Sequence, residues 1–139
     1  MKVDGFSFYK RILITQSLSI LLAVISNFHN RILIKRDWVL DNQTLFYMRI
    51  ILFVIIFSVI ILRYMDGRWI NVLLISIPYI VYWLIVLAIG SKIFPAHTDS
   101  EDYGGALILA FVSVAQWISI VIGSIVGTYI KKRTLSHNK

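Results

Sequence analysis

Hydrophobic residues fall in four long runs along this chain, divided by short polar segments. The runs occupy about 12–28, 45–62, 70–90 and 106–130. Each is close to or above the ~17–25 residues that an α-helix needs to cross a hydrocarbon core of about 30 Å. The pattern predicts an all-α, polytopic membrane protein: four transmembrane helices in a compact bundle, with residues 1–139 as a single membrane domain. The segments between runs are too short to hold a separate soluble domain.

The fourth run carries the clearest internal signal. Residues 106–130 include no charged side chain, and Ala115, Ser119, Gly123 and Gly127 recur every four positions. On a helix these residues stack along one face. A face of small residues lets a second backbone approach closely, which is how helices associate in a bilayer. These four residues are the candidate helix-packing site, against another helix of the chain or against a partner.

The first run is short and interrupted by Thr15, Gln16, Ser17 and Ser19. Lys2, Lys10 and Arg11 precede it, with Phe6, Phe8 and Tyr9 suited to the headgroup level. A basic start before a short apolar run also has the form of a signal peptide, but the interruptions and the lack of an A-x-A site argue against cleavage. Residues 29–44 mix Arg31, Lys35, Arg36, Asp37 and Asp41 with Ile32, Leu33 and Trp38. That mixture predicts a segment lying in the interface.

Residues 50–62 alone rise only about 20 Å, so the second span must take in Arg49. Arg49 then lies about 6 Å inside the helix end, within snorkelling reach of the interface. Asp66-Gly67 is a turn signal and makes the second and third runs an antiparallel hairpin. Pro78 lies inside the third run and removes the helical hydrogen bond to the carbonyl of Leu74, which predicts a kink. Tyr79, Tyr82 and Trp83 follow, and rings with polar handles at this depth need partners within protein.

Composition agrees with the runs. Charged residues are 15% and hydrophobic residues 58% of the chain, against roughly a quarter charged in a soluble domain. Mean hydropathy is +0.79. The formal charge of +7 comes from short segments flanking the runs, which suits membrane orientation and anionic headgroups and gives no case for nucleic acid. Four spans put both termini on one side. That side carries Lys2, Lys10, Arg11, Arg63, Arg68, Lys131, Lys132, Arg133 and Lys139, against Arg31, Lys35, Arg36, Arg49 and Lys92 on the other. The positive-inside rule therefore predicts cytoplasmic termini, and the chain's brevity and Ile richness point to a multi-pass protein of a bacterial inner (plasma) membrane.

Candidate chemistry is sparse. All seven acids lie outside the runs, as do the histidines. The ionisable intramembrane group that coupled transport generally needs is missing. Small four-helix multidrug exporters depend on a buried glutamate, and this chain has no counterpart. No metalloprotease, nucleophile-elbow or phosphate-loop motif is present, and with no cysteine there is no thiolate chemistry. No catalytic residue, cofactor or metal site is expected. His97, Asp99, Glu101 and Asp102 could be grouped as divalent-ion ligands, but they read as a solvated acidic loop.

Polar residues within the runs can be matched by depth. Asn27 and Gln116 both lie about 21 Å from the cytoplasmic end of their spans, which permits an amide pair between them. Such amides serve first as glue within the bundle. A sharper alternative is a polar pocket lined by Asn27, Tyr82 and Gln116.

The resulting functional expectation is a small, non-enzymatic integral membrane protein. It works through helix–helix contacts, in the lipid bilayer, with another membrane protein or a second copy of itself. An accessory subunit or a toxin-immunity protein fits that description. In size and span number the chain resembles small polytopic bacteriocin immunity proteins, with no motif behind the similarity. The alternatives are a pore-forming, holin-like oligomer and a small solute transporter using the Tyr82–Gln116 region.

Overall fold

The computed structural model describes residues 5–35, 43–93 and 103–137. They form four helices: α1 (Gly5–Lys35), α2 (Gln43–Tyr64), α3 (Ile70–Ile93) and α4 (Tyr103–His137). No strand occurs among the described residues. Each helix contains a segment long and apolar enough to cross a membrane: Ser7–Leu33, Thr44–Tyr64, Ile70–Ile93 and Leu107–His137. The protein is an all-α membrane bundle of four helices in mutual contact.

The first span is longer than the hydrophobic run suggests. The helix continues through Arg31 to Lys35, so half of the expected interfacial segment is helical, and His29 and Arg31, expected outside the runs, lie within the span. Backbone hydrogen bonding is the reason: in hydrocarbon every peptide group must be satisfied, and continuing the helix does so locally. Residues 36–42, with Trp38, and residues 94–102, with the acidic loop, lie outside the described residues.

Helix packing departs from a simple hairpin order. The closest pairs are α2 with α4 and α1 with α3, followed by α3 with α4. Consecutive helices α2 and α3 are not among the closely packed pairs. They face each other across the middle of the bundle, joined at one end by the tight turn that Asp66-Gly67 predicts. Gly67 has φ of 39° there, a left-handed conformation open to glycine. Matching contacts advance together along α2 and α4, from Val54 beside Gly123 to Ser58 beside Gly127. The two helices therefore run parallel. The same holds for α1 and α3, where Gln16 meets Leu74 and Arg31 meets Leu87.

Side-chain size explains this arrangement. The large buried side chains are concentrated on α2 and α3, as Phe53, Phe57, Ile60, Ile61, Ile75, Tyr79 and Trp83, beside the smaller Ser58, Asn71, Ser76 and Gly90. Phe57 and Tyr79 meet edge to face across the bundle centre, with ring centroids 5.9 Å apart. The buried residues of α1 and α4 are mostly small or polar: Thr15, Ser19, Ala23, Ser26 and Asn27 on α1, and Ser119, Gly123, Ser124, Gly127 and Thr128 on α4. Bulky side chains thus oppose each other across the centre, while the small residues of α4 let the α2 backbone come close. Outward faces are mainly apolar, as with Ile51, Ile55, Ile77, Leu84 and Ile122. That is the arrangement expected where hydrocarbon replaces water as solvent.

Candidate functional site

The glycine half of the α4 ladder, Gly123 and Gly127, packs within the chain. A Cβ on Gly123 would lie 2.5 Å from the Val54 carbonyl oxygen, and one on Gly127 would lie 2.8 Å from that of Ser58. Both neighbours are backbone atoms of α2, so neither can yield cheaply. The Ser58 hydroxyl sits 2.8 Å from the Val54 carbonyl and 2.9 Å from the Gly123 carbonyl, and links the two helices at their closest approach. Ser119 is buried, its hydroxyl donating back to the Ala115 carbonyl at 2.8 Å. Ala115 is half-buried. Farther along, Lys131 Nζ donates to the Leu62 carbonyl at 2.7 Å, a cation on the C-terminal end of α2.

Asn27, Tyr82 and Gln116 fall into three separate networks. Tyr82 Oη donates to Gln16 Oε1 at 2.8 Å, and Gln16 Nε2 donates in turn to the Leu74 carbonyl at 2.9 Å. That carbonyl is the one that Pro78 leaves without a helical donor. Gln16 of α1 thus repairs the gap in α3, and α3 runs as one helix from Ile70 to Ile93. Gln116 Nε2 donates to Tyr79 Oη. Asn27 Oδ1 accepts from Arg31 Nε at 2.8 Å, and Arg31 Nη2 reaches the Leu87 carbonyl at 3.1 Å. The level amides Asn27 and Gln116 are both buried, yet each is bonded to a different partner.

Arg31 and Arg49 were weaker sequence signals than the amides and turn out to organise this end of the bundle. Arg31 is 2% exposed and sits between α1 and α3. Gly90 makes room for it, since a Cβ there would lie 3.0 Å from Arg31 Nε. Arg49 is half-buried and its Nη2 donates to Asn30 Oδ1 of α1. Its helix position, about 8 Å inside the Thr44 end of the span, is the depth from which an arginine turns back toward the interface.

Between α1 and α2 lies a crevice of about 510 Å³. Its walls are mainly apolar, including Leu22, Leu33, Leu45 and Ile56, with Ser26, His29, Asn30 and Arg49 as its polar members. Ile25, Met48 and Leu52, also on the walls, are each more than half exposed, so the crevice opens sideways at the bundle surface. It exists because α1 leans on α3 while α2 is drawn against the glycines of α4. A second cavity of about 10 Å³ separates Arg49 from Gln116, close to the smallest volume that holds a water. Gln116 Oε1 is buried there without a partner.

Sequence spacing could have flagged Asn27, Asn30 and Arg31 as one stripe, three to four residues apart on α1. The apolar run breaks before Asn30, and that break concealed the stripe. Nothing in the sequence pointed to the crevice, because its walls are ordinary lipid-facing aliphatics. Among the described residues no group of His, Asp and Glu is placed to hold a metal ion. Compared with protein-family models, curated proteins and solved structures, the chain matches none.

Proposed function

We propose that the protein acts by binding within the membrane and not by catalysis, as a component of the accessory or toxin-immunity type. Four membrane-spanning helices make it a small integral membrane protein. The observation that carries the reading is the side crevice between α1 and α2. It is the size of a small-ligand site, and its mouth faces the direction from which a membrane-dissolved partner arrives. The glycine end of the α4 ladder, the other surface suited to association, is already occupied by α2. Binding through the crevice is therefore favoured over assembly through the ladder.

Photocrosslinking in cells tests this. A benzophenone side chain placed at Leu52, in the crevice mouth, is expected to yield an adduct of defined mass. The same group at Leu84, on the exposed face of α3, is expected to yield only the spread of bulk lipids. Identical adduct spectra from the two positions would defeat the proposal.

A further inference from the structure

The crevice has a direction. It extends from Leu45 to Ile56 on α2 and from Leu22 to Leu33 on α1, eleven residue steps on each helix, or about 16 Å. That is about half of the ~30 Å hydrocarbon core, the depth of one leaflet. Its polar members are gathered toward one end, where Arg49, His29 and Asn30 sit near the N-terminal end of the α2 span; Ser26 lies deeper. The deep end is lined by Leu22, Phe53 and Ile56.

We propose that this crevice is a binding site for an anionic phospholipid, with one acyl chain along the apolar walls and the phosphodiester on Arg49. The inference rests on the reading of the crevice as a binding site and names its ligand. Charge complementarity supports it. An arginine offers five N–H donors, and among the described residues Arg49 makes one hydrogen bond, to Asn30, and no ion pair. A guanidinium at this depth is costly unless an acceptor meets it, and a phosphate matches its forked geometry. Asn30 adds a second donor. Its side chain is 1% exposed, and Nδ2 has no partner. A helix from another protein would fill the apolar walls equally well, but it would leave those donors unmet unless it carried an acid at one fixed depth.

The test uses the full chain, delipidated in mild detergent and titrated with phosphatidylglycerol or phosphatidylcholine of identical acyl chains. Bound lipid is counted by native mass spectrometry. The unaltered protein is expected to favour phosphatidylglycerol about fivefold, the value of roughly 1 kcal/mol for one basic residue near a headgroup. Arg49→Gln is expected to remove the preference. Leu52→Trp fills the crevice mouth from a lipid-facing position and is expected to abolish the preference by itself, so the test stands even if Arg49→Gln fails to fold. A preference retained in Leu52→Trp would overturn the site. Equal binding of the two lipids by the unaltered protein would overturn the headgroup assignment while leaving crevice binding intact. Palmitate displacing phosphatidylglycerol at equal concentration would overturn the phospholipid in favour of a fatty acid. A protein adduct from Leu52 in cells would support the wider functional reading and overturn the lipid one.

Discussion

At Pro78 the pyrrolidine ring takes away the donor for the Leu74 carbonyl, and a side chain from a different helix restores it. Gln16 spends its amide nitrogen on that carbonyl and its oxygen on Tyr82. One residue thereby satisfies two polar groups that hydrocarbon would otherwise leave bare. Interhelical hydrogen bonds of this sort contribute roughly 0.6–2 kcal/mol. Gln16→Leu is therefore expected to lower stability by about 1 kcal/mol, read as an earlier midpoint in detergent unfolding. In a Pro78→Ala background the helix supplies its own donor, and the same change should cost less. A double-mutant cycle that gives no coupling would refute the repair.

Individual helices are held by how closely their backbones approach. Gly123 and Gly127 bring α4 against the main chain of α2, where dispersion and Cα–H···O contacts replace the side-chain packing of a soluble bundle. Gly123→Ala gains about 1 kcal/mol of helix propensity. It must also force a methyl group against the Val54 carbonyl, and overpacking of this kind typically costs about 1–3 kcal/mol. The expected result is a net loss of stability and a wider separation of α2 and α4, measurable by spin labels on the two helices. Ile122→Ala, one residue away on the lipid-facing side, serves as the control and should change stability by less than about 0.5 kcal/mol. Were both variants equally mild, the close approach would not matter to the fold.

Across the whole molecule, helix directions alternate, so the ends of α1 and α4 that carry Ser7 and Ser136 lie at one end of the bundle and Ser91 lies at the other. The absence of cysteine from the chain makes this simple to check. Ser7→Cys and Ser136→Cys should react with an impermeant maleimide from the same face of the membrane, and Ser91→Cys from the opposite face. Labelling of Ser7→Cys and Ser136→Cys from different faces would rule out four crossings. The charge asymmetry between the ends predicts that the Ser91 side is the outer one.

What could be read from the sequence was whatever depends on a residue's own run of neighbours. Four apolar stretches imply four helices because hydrocarbon offers the backbone no partner, and helix formation answers that locally. Asp66-Gly67 marks its turn, and the four-residue ladder marks a close-packing face, for equally local reasons. The choice of neighbour is different, since it depends on how large and small faces fit together across the bundle. Phe57 and Tyr79 meet in the middle, the α4 glycines go to α2, and Gln16 goes to α3. Tertiary structure also divided Asn27, Tyr82 and Gln116 among three networks and opened the crevice beside Arg49. Depth along a span fixes which residues are level, but rotation about the helix axis decides which of them touch, and only packing sets that rotation.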